Sequence, residues 1–183
     1  MLGLPFAYRE TPPALRGTPA FLAMSPLGQV PVLQDGEAVI PDSAAILVYL
    51  AKRYDADGPW LPNAAGPAAA VQRWLSIAAG ELWHGPGTAR ALAIWGLPHG
   101  ADPVRARAIA GRLLAFMEGH LATRPFLAAG RPTVADLACY TYTAHAPEGG
   151  LALEPYPAVR AWLARVEALP GFVPMARSPV PAA

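Results

Sequence analysis

The sequence predicts two architectures in one chain: a short α/β unit followed by an all-α unit. Three observations carry this. Two apolar, β-branched runs flank Asp35-Gly36 in the N-terminal third, the pattern of a β-hairpin. From about Pro62 onward, apolar residues recur three and four apart, the period of packed helices. The composition is 54% apolar and 15% charged over 183 residues, enough for a sizeable core and opposed to intrinsic disorder.

The elements follow in order. Residues 6–9 (Phe-Ala-Tyr-Arg) read as a short strand, ended by Thr11-Pro12-Pro13. Pro19 opens a short helix running to Met24. Residues 30–33 and 38–40 are the two hairpin strands. A helix from Ser43 to Tyr54 starts at Asp42 and carries Ile46, Leu47 and Leu50 on one face. Gly58-Pro59 marks a boundary, giving domains of residues 1–57 and 63–183. Residues 67–82 form a helix with Val71, Trp74, Leu75, Ala78 and Leu82 inward, which His84-Gly85-Pro86-Gly87 interrupts or kinks. Asp102 and Pro103 open a helix to Leu121. Residues 133–144 and 157–169 are the last two, the second closed by Pro170-Gly171.

Composition excludes several functional classes. The net charge is +1, from 14 basic and 13 acidic residues, so no basic field invites nucleic acid. All the basic residues except Lys52 are arginine, which reads as genome bias. The one cysteine, Cys139, supports neither a disulfide framework nor a cysteine zinc site. The histidines, His84, His99, His120 and His145, are not at metal-ligand spacing, and no metal is expected. The most apolar stretch, residues 38–51, is interrupted by Pro41, Asp42 and Ser43 and is too short for a membrane span. The opening Met1-Leu2-Gly3-Leu4-Pro5 lacks the basic region of a secretory signal. The expected location is cytoplasmic.

Three constellations could carry chemistry. The first joins Gly28-Gln29-Val30-Pro31-Val32-Leu33 to Pro41-Asp42-Ser43. Pro31 cannot donate to a strand ladder, and a bend there, through a cis Val30–Pro31 bond, leaves the Val30 main chain free to pair with an extended ligand. The helix start at Asp42-Ser43 attracts a carboxylate, and Asp42 can accept from an ammonium group. A peptide-like ligand with an amino-acid head fits both. The plainer reading is a simple N-cap and an edge-strand proline. The second is Arg131-Pro132-Thr133-Val134-Ala135-Asp136-Leu137, in which Thr133 and Asp136 form a capping box that nucleates a helix. The third groups Tyr140, Tyr142 and His145 ahead of Glu148, which reads either as an acid–base pair or as a histidine at a helix C-terminus. Trp83-His84 at the Gly-Pro-Gly break reads as a kink with an aromatic wall.

These motifs together resemble a known family. Leu2-Gly3-Leu4-Pro5, Ser25-Pro26-Leu27-Gly28-Gln29-Val30-Pro31-Val32-Leu33 and Asp42-Ser43-Ala44-Ala45-Ile46 look like the glutathione-binding half of a cytosolic-type glutathione S-transferase. Residues 131–136 resemble the capping signature of that family's second domain, and residues 155–172 its closing helix. The likeness covers nearly the whole chain, with bacterial members closest. It implies a thioredoxin-like domain, an all-helical domain and a homodimer. It also implies that Val30 pairs with the cysteinyl part of glutathione beside cis-Pro31, that Asp42 and Ser43 hold the γ-glutamyl head, and that Gln29 assists. A hydrophobic electrophile, the second substrate in a detoxification reaction, would lie between the domains. Its candidate wall residues are Trp83, His84, Tyr142 and His145.

The resemblance also sets an expectation about catalysis. A free thiol with pKa about 8.5 is mostly protonated at neutral pH. Family enzymes lower that pKa with a hydroxyl or thiol donor upstream of the Leu-Gly-Leu-Pro stretch. By that analogy roughly 20 residues would precede Met1: a strand of about 5–6 residues, a loop and most of a helix. No catalytic residue is assigned, because Tyr8 and Ser25 are not at the motif position. The expectation is a chain that binds glutathione and conjugates it poorly or not at all. The alternatives are a non-catalytic glutathione- or partner-binding protein, and a dimeric structural module using the helical domain.

Overall fold

The computed structural model of the chain describes residues 1–96 and 100–179. His99 lies outside the described residues. Two compact units form, Leu2–Leu61 and Pro62–Ala183, the latter including Met1.

The first unit begins with extended chain. Residues 6–9 do not form the expected strand. A strand needs a ladder partner, and the two strands of this unit pair with each other, so Phe6 and Tyr8 stand 87% and 82% exposed. A single 3₁₀ turn at Pro13–Leu15 leads to α1, Pro19–Met24, whose N-cap hydroxyl on Thr18 accepts from the Phe21 N–H. The hairpin is β1, Val32–Asp35, and β2, Ala38–Pro41, antiparallel with Leu33 opposite Ile40. The first strand therefore starts two residues later than expected, and Val30 and Pro31 stay outside the ladder. Gly36 takes the positive-φ position of the turn at 59°. Next comes α2, Ser43–Tyr54. The Asp35 carboxylate accepts from the Tyr49 and Tyr54 hydroxyls and ties the hairpin end to α2. Those hydrogen bonds, Tyr54 first, hold the Asp35 carboxyl below its ordinary value. Only Phe21, Ser25 and Ala51 are fully buried in this unit.

All the regular structure among the described residues of the second unit is helical. Helix α3, Ala65–Ile77, runs without a break into a π-helical stretch, Ala78–Gly87, and on into α4, Thr88–Trp95. Gly85-Pro86-Gly87 thus widens the helix instead of interrupting it. In an α-helix the Pro86 ring would clash with the carbonyl four residues back, and the wider π turn removes that conflict. The Thr88 hydroxyl donates to the Trp83 carbonyl (3.0 Å) and holds the exit of this turn. Gly85 lets the stretch pack closely on its neighbour, because a Cβ there would stand 2.9 Å from the Ala110 nitrogen.

Helix α5, Pro103–Leu121, is capped by Asp102, which accepts from the Val104 and Arg105 N–H groups. Helix α6 is Val134–Ala144, followed by a 3₁₀ turn at Ala146–Gly149. Helix α7, Pro157–Glu167, ends two residues short of the expected 169. Its first turn is capped from α5, since Glu118 accepts from the Ala158 and Val159 N–H groups at 2.9 and 3.0 Å. The core brings together Val71 and Trp74 of α3, Leu82, Leu114 and Met117, Val134 and Cys139, and Val159, Trp162 and Val166. Among the described residues no helix is long and apolar enough to cross a membrane, and no His, Cys, Asp or Glu cluster is placed to hold a metal.

Candidate functional site

The site in the first unit is built from backbone. Ser25 is buried, and its hydroxyl donates to the Gln29 carbonyl (2.9 Å) and accepts from the Gln29 N–H (3.1 Å). This closes the turn at Pro26-Leu27-Gly28 and presents the segment that follows. The Val30–Pro31 peptide bond is cis. Val30 is 43% exposed, and among the described residues nothing hydrogen-bonds its N–H or C=O. The Pro31 carbonyl accepts from the Asp42 N–H at 3.3 Å, so the start of β1 is held beside the start of α2.

Asp42 is the one non-glycine residue with positive φ among the described residues, at φ 88° and ψ 126°. That conformation costs about 1–3 kcal/mol and persists only where the surroundings impose it. Here Asp42 is fixed by its N–H on Pro31 and by its Oδ1, which accepts from the Ala45 N–H at 2.8 Å. Its second carboxylate oxygen has no partner among the described residues. Ser43, the first residue of α2, is exposed, and its hydroxyl has no partner among them either. The result is an exposed corner that carries a free main-chain edge, a free carboxylate oxygen, and the positive end of a twelve-residue helix. Gln29 is exposed next to Val30.

The four candidate wall residues divide. Trp83 and Tyr142 meet, with ring centroids 5.6 Å apart and planes inclined by 60°, and Trp83 is 43% exposed. His84 is exposed on the same π-helical stretch. Burial pushes the Tyr142 hydroxyl above its ordinary pKa, which keeps it a donor. His145 is not a wall residue. It is 2% exposed and caps α6, and its Nδ1 meets Glu148 Oε1 at 2.6 Å. Glu148 also takes the Arg90 Nε (2.6 Å) and the Ser178 N–H (3.1 Å). Burial alone would raise the Glu148 pKa, but the hydrogen bonds from His145, Arg90 and Ser178 bring it below its ordinary value. This is a saturated structural cluster joining α4, the 3₁₀ turn and the C-terminal segment. Of the two readings of His145 and Glu148, the histidine at a helix C-terminus is the one the geometry matches; the Arg90 contact was not legible, because nothing local marks α4 after Gly-Pro-Gly.

Thr133 and Asp136 form the capping box at the start of α6. Asp136 Oδ2 accepts from the Thr133 N–H (2.9 Å) and hydroxyl (3.2 Å). Its Oδ1 accepts from the Leu127 N–H and the Trp162 indole N–H, both at 2.9 Å. The carboxylate therefore also pins a loop and α7, which spacing along the chain did not reveal. Burial pushes its pKa above the ordinary value, and the hydrogen bonds oppose this only in part.

Comparison with known proteins adds a family context. Residues 1–60 match the family described as the glutathione S-transferase N-terminal domain, and residues 98–170 match the glutathione S-transferase C-terminal domain. Glutathione S-transferase 3 of Zea mays is 32% identical over 84% of this chain and 73% of its own length. A crystal structure of a glutathione S-transferase from Xanthobacter autotrophicus superposes with a TM-score of 0.86 at 34% identity, covering 94% of this chain and 85% of that one. A theta-class enzyme from Xanthomonas axonopodis, solved with glutathione bound, is 29% identical with a TM-score of 0.73, covering 85% of this chain and 75% of that one.

Proposed function

Because the chain belongs to the glutathione S-transferase family, with a small thioredoxin-like N-terminal domain and a helical C-terminal domain, we propose that its Asp42 corner binds glutathione. Residues 1–57 form the glutathione-binding domain in this reading, and residues 63–183 the helical one. The Val30 N–H and C=O pair with the cysteinyl main chain, as an added strand would. Pro31 fixes the direction of that edge. The free oxygen of Asp42 accepts from the γ-glutamyl ammonium. The Ser43 N–H and hydroxyl, at the α2 N-terminus, donate to the γ-glutamyl carboxylate. Gln29 adds a side-chain contact from the neighbouring turn.

The observation that carries this reading is Asp42 itself. A non-glycine residue held at φ 88° with one carboxylate oxygen unused is more than an N-cap requires. The reaction would join the glutathione sulfur to an electrophilic carbon: in a displacement the leaving group departs with its bonding pair and the thiol proton goes to solvent, and in an addition the neighbouring carbon of the consumed double bond takes up a proton from solvent in exchange for it. Trp83, Tyr142 and His84 are the proposed wall for a hydrophobic electrophile. Ser25 already uses its hydroxyl on Gln29, and Tyr8 stands in solvent, so neither is assigned to activate the thiol. The chain is therefore expected to bind glutathione and to conjugate a chromogenic aryl halide poorly or not at all. A homodimer, a cytoplasmic location and a role in detoxification belong to the same reading.

Calorimetric titration tests it. Glutathione should bind one-to-one, and cysteinylglycine, which lacks the γ-glutamyl head, should bind at least about tenfold more weakly, since a hydrogen bond to a charged group is worth about 1.5–3 kcal/mol. Equal affinity for the two peptides would contradict the assignment of Asp42 and Ser43.

A further inference from the structure

The first unit holds two Asp-Gly pairs, Asp35-Gly36 and Asp57-Gly58. Such a pair is reactive within itself. Glycine has no side chain to hinder its amide nitrogen, so that nitrogen can close a five-membered ring onto the side-chain carbon of the preceding aspartate. The two pairs meet this chemistry differently.

At Asp35-Gly36 the nucleophile is free and the electrophile is held. The pair forms the hairpin turn, with Asp35 opposite Ala38 and Gly36 exposed at φ 59°. Among the described residues the Gly36 N–H has no hydrogen-bond partner. The turn leaves room for a ring, since a Cβ at Gly36 would meet nothing within 4 Å. What restrains the Asp35 side chain is α2: its Oδ2 accepts from the Tyr49 hydroxyl (2.9 Å) and from the Tyr54 hydroxyl (2.5 Å). These bonds fix the carboxyl on α2 and favour its ionised form, which is a poor target for an amide nitrogen.

At Asp57-Gly58 the roles are reversed. The Asp57 carboxylate has no partner among the described residues. The Gly58 N–H is engaged instead, donating to the Asp55 carbonyl at 2.8 Å, and the Asp55 side chain lies over Gly58. Tyr49 and Tyr54 make no hydrogen bond to this pair.

We propose that Asp35 is a site of spontaneous isomerisation in the main chain, and that the Tyr49 and Tyr54 hydroxyls are its guard. The Gly36 nitrogen forms a bond to Asp35 Cγ. The carboxyl C–O bond breaks, and the oxygen leaves as water with the carboxyl proton and the amide proton. Water then opens the cyclic imide. Cleavage of the bond from nitrogen to Cγ restores aspartate. Cleavage of the bond from nitrogen to the original main-chain carbonyl carbon leaves isoaspartate. The chain then runs through the former side chain, one CH₂ longer, and the new carboxylate hangs directly from Cα, where it no longer reaches the two tyrosines. The modification thus unties the hairpin from α2. It is independent of the ligand the first unit takes.

The test incubates the full 183-residue protein at mildly acidic pH and follows both Asp-Gly pairs by peptide mapping. An endoprotease that cuts before aspartate leaves isoaspartate uncut, so loss of each cut measures conversion. Asp35 in the protein should convert about tenfold or more slowly than in the free peptide of residues 34–38, which lacks both tethers to the charged carboxylate. The Tyr49→Phe/Tyr54→Phe variant should convert Asp35 about threefold or more faster than wild type, a modest factor because the pair is solvent-screened. Its Asp57 rate should equal that of wild type. Equal Asp35 rates in protein and peptide would overturn the proposal, as would an unchanged Asp35 rate in the variant. A matching rise at Asp57 would also overturn it, because general loosening of the unit would then account for the effect.

Discussion

Two aspartates stand at the starts of two helices and do different work. Asp42 heads α2 in the first unit, and Asp136 occupies the third position of α6 in the second. Both serve backbone N–H groups at a helix N-terminus. Asp136 is completely buried, and both its oxygens are doubly engaged. Asp42 is exposed, holds a strained backbone angle and engages one oxygen. The difference is unused bonding capacity. A saturated cap stabilises the fold, whereas a strained and half-used cap can recognise a ligand.

The largest expected effect is on the buried side. Asp136→Ala leaves the Leu127 and Thr133 N–H groups and the Trp162 indole without an acceptor. At about 1–3 kcal/mol for each buried orphan, partly relaxed, urea unfolding should show a loss of about 3–5 kcal/mol. Asp136→Asn keeps the Oδ1 contacts and sets an amide nitrogen against the Thr133 N–H, for a loss of about 1–3 kcal/mol. A loss below about 0.5 kcal/mol in either variant would break the contrast between the two aspartates.

The same residue has a signature in pH. Its folded pKa lies above the ordinary 3.8, so the folded state takes up a proton more readily than the unfolded chain. The stability this contributes is fully present below the unfolded pKa and is lost as pH rises through the raised folded value. Urea midpoints of wild type relative to Asp136→Asn, measured across the acid range, should fall over that window. A flat difference would remove the burial argument.

On the exposed side the effects move from stability to binding. Ser43→Ala should weaken glutathione binding about tenfold, the worth of one hydrogen bond to the charged γ-glutamyl carboxylate at the low end of about 1.5–3 kcal/mol, with stability unchanged. Asp42→Gly relieves the positive φ while giving up a cap that glycine replaces at a cost of a few tenths of a kcal/mol. Its unfolding free energy should stay level or rise by about 1 kcal/mol while glutathione affinity drops. A destabilised Asp42→Gly protein would show that the conformation is not strained.

The sequence made much of this legible where the signal is local. Pro19, Asp42 and Asp102 mark helix starts by their own chemistry, and α1, α2 and α5 begin where those residues place them. The Asp42 corner was legible for the same reason, since Pro31 and the helix cap each announce a backbone feature. What was not legible depends on partners far along the chain. The Asp136 contacts to Leu127 and Trp162 lie nine and 26 residues away. Glu148, the partner of buried His145, also binds Arg90, 58 residues away. Residues 6–9 have strand propensity but no ladder partner. Gly85-Pro86-Gly87 reads locally as a breaker, yet packing against Ala110 and a π turn carry the helix through it.

The central claim is that the free oxygen of Asp42 binds an ammonium group. Asn at this position keeps an oxygen for the Ala45 N–H and tolerates positive φ, so Asp42→Asn removes the charge and little else. Calorimetric titration of glutathione into wild type and Asp42→Asn, with unfolding midpoints measured in parallel, isolates that charge. The account predicts equal midpoints and a loss of affinity of about tenfold or more, the effect of removing one charge-assisted hydrogen bond. Unchanged glutathione affinity in a folded Asp42→Asn protein would contradict it.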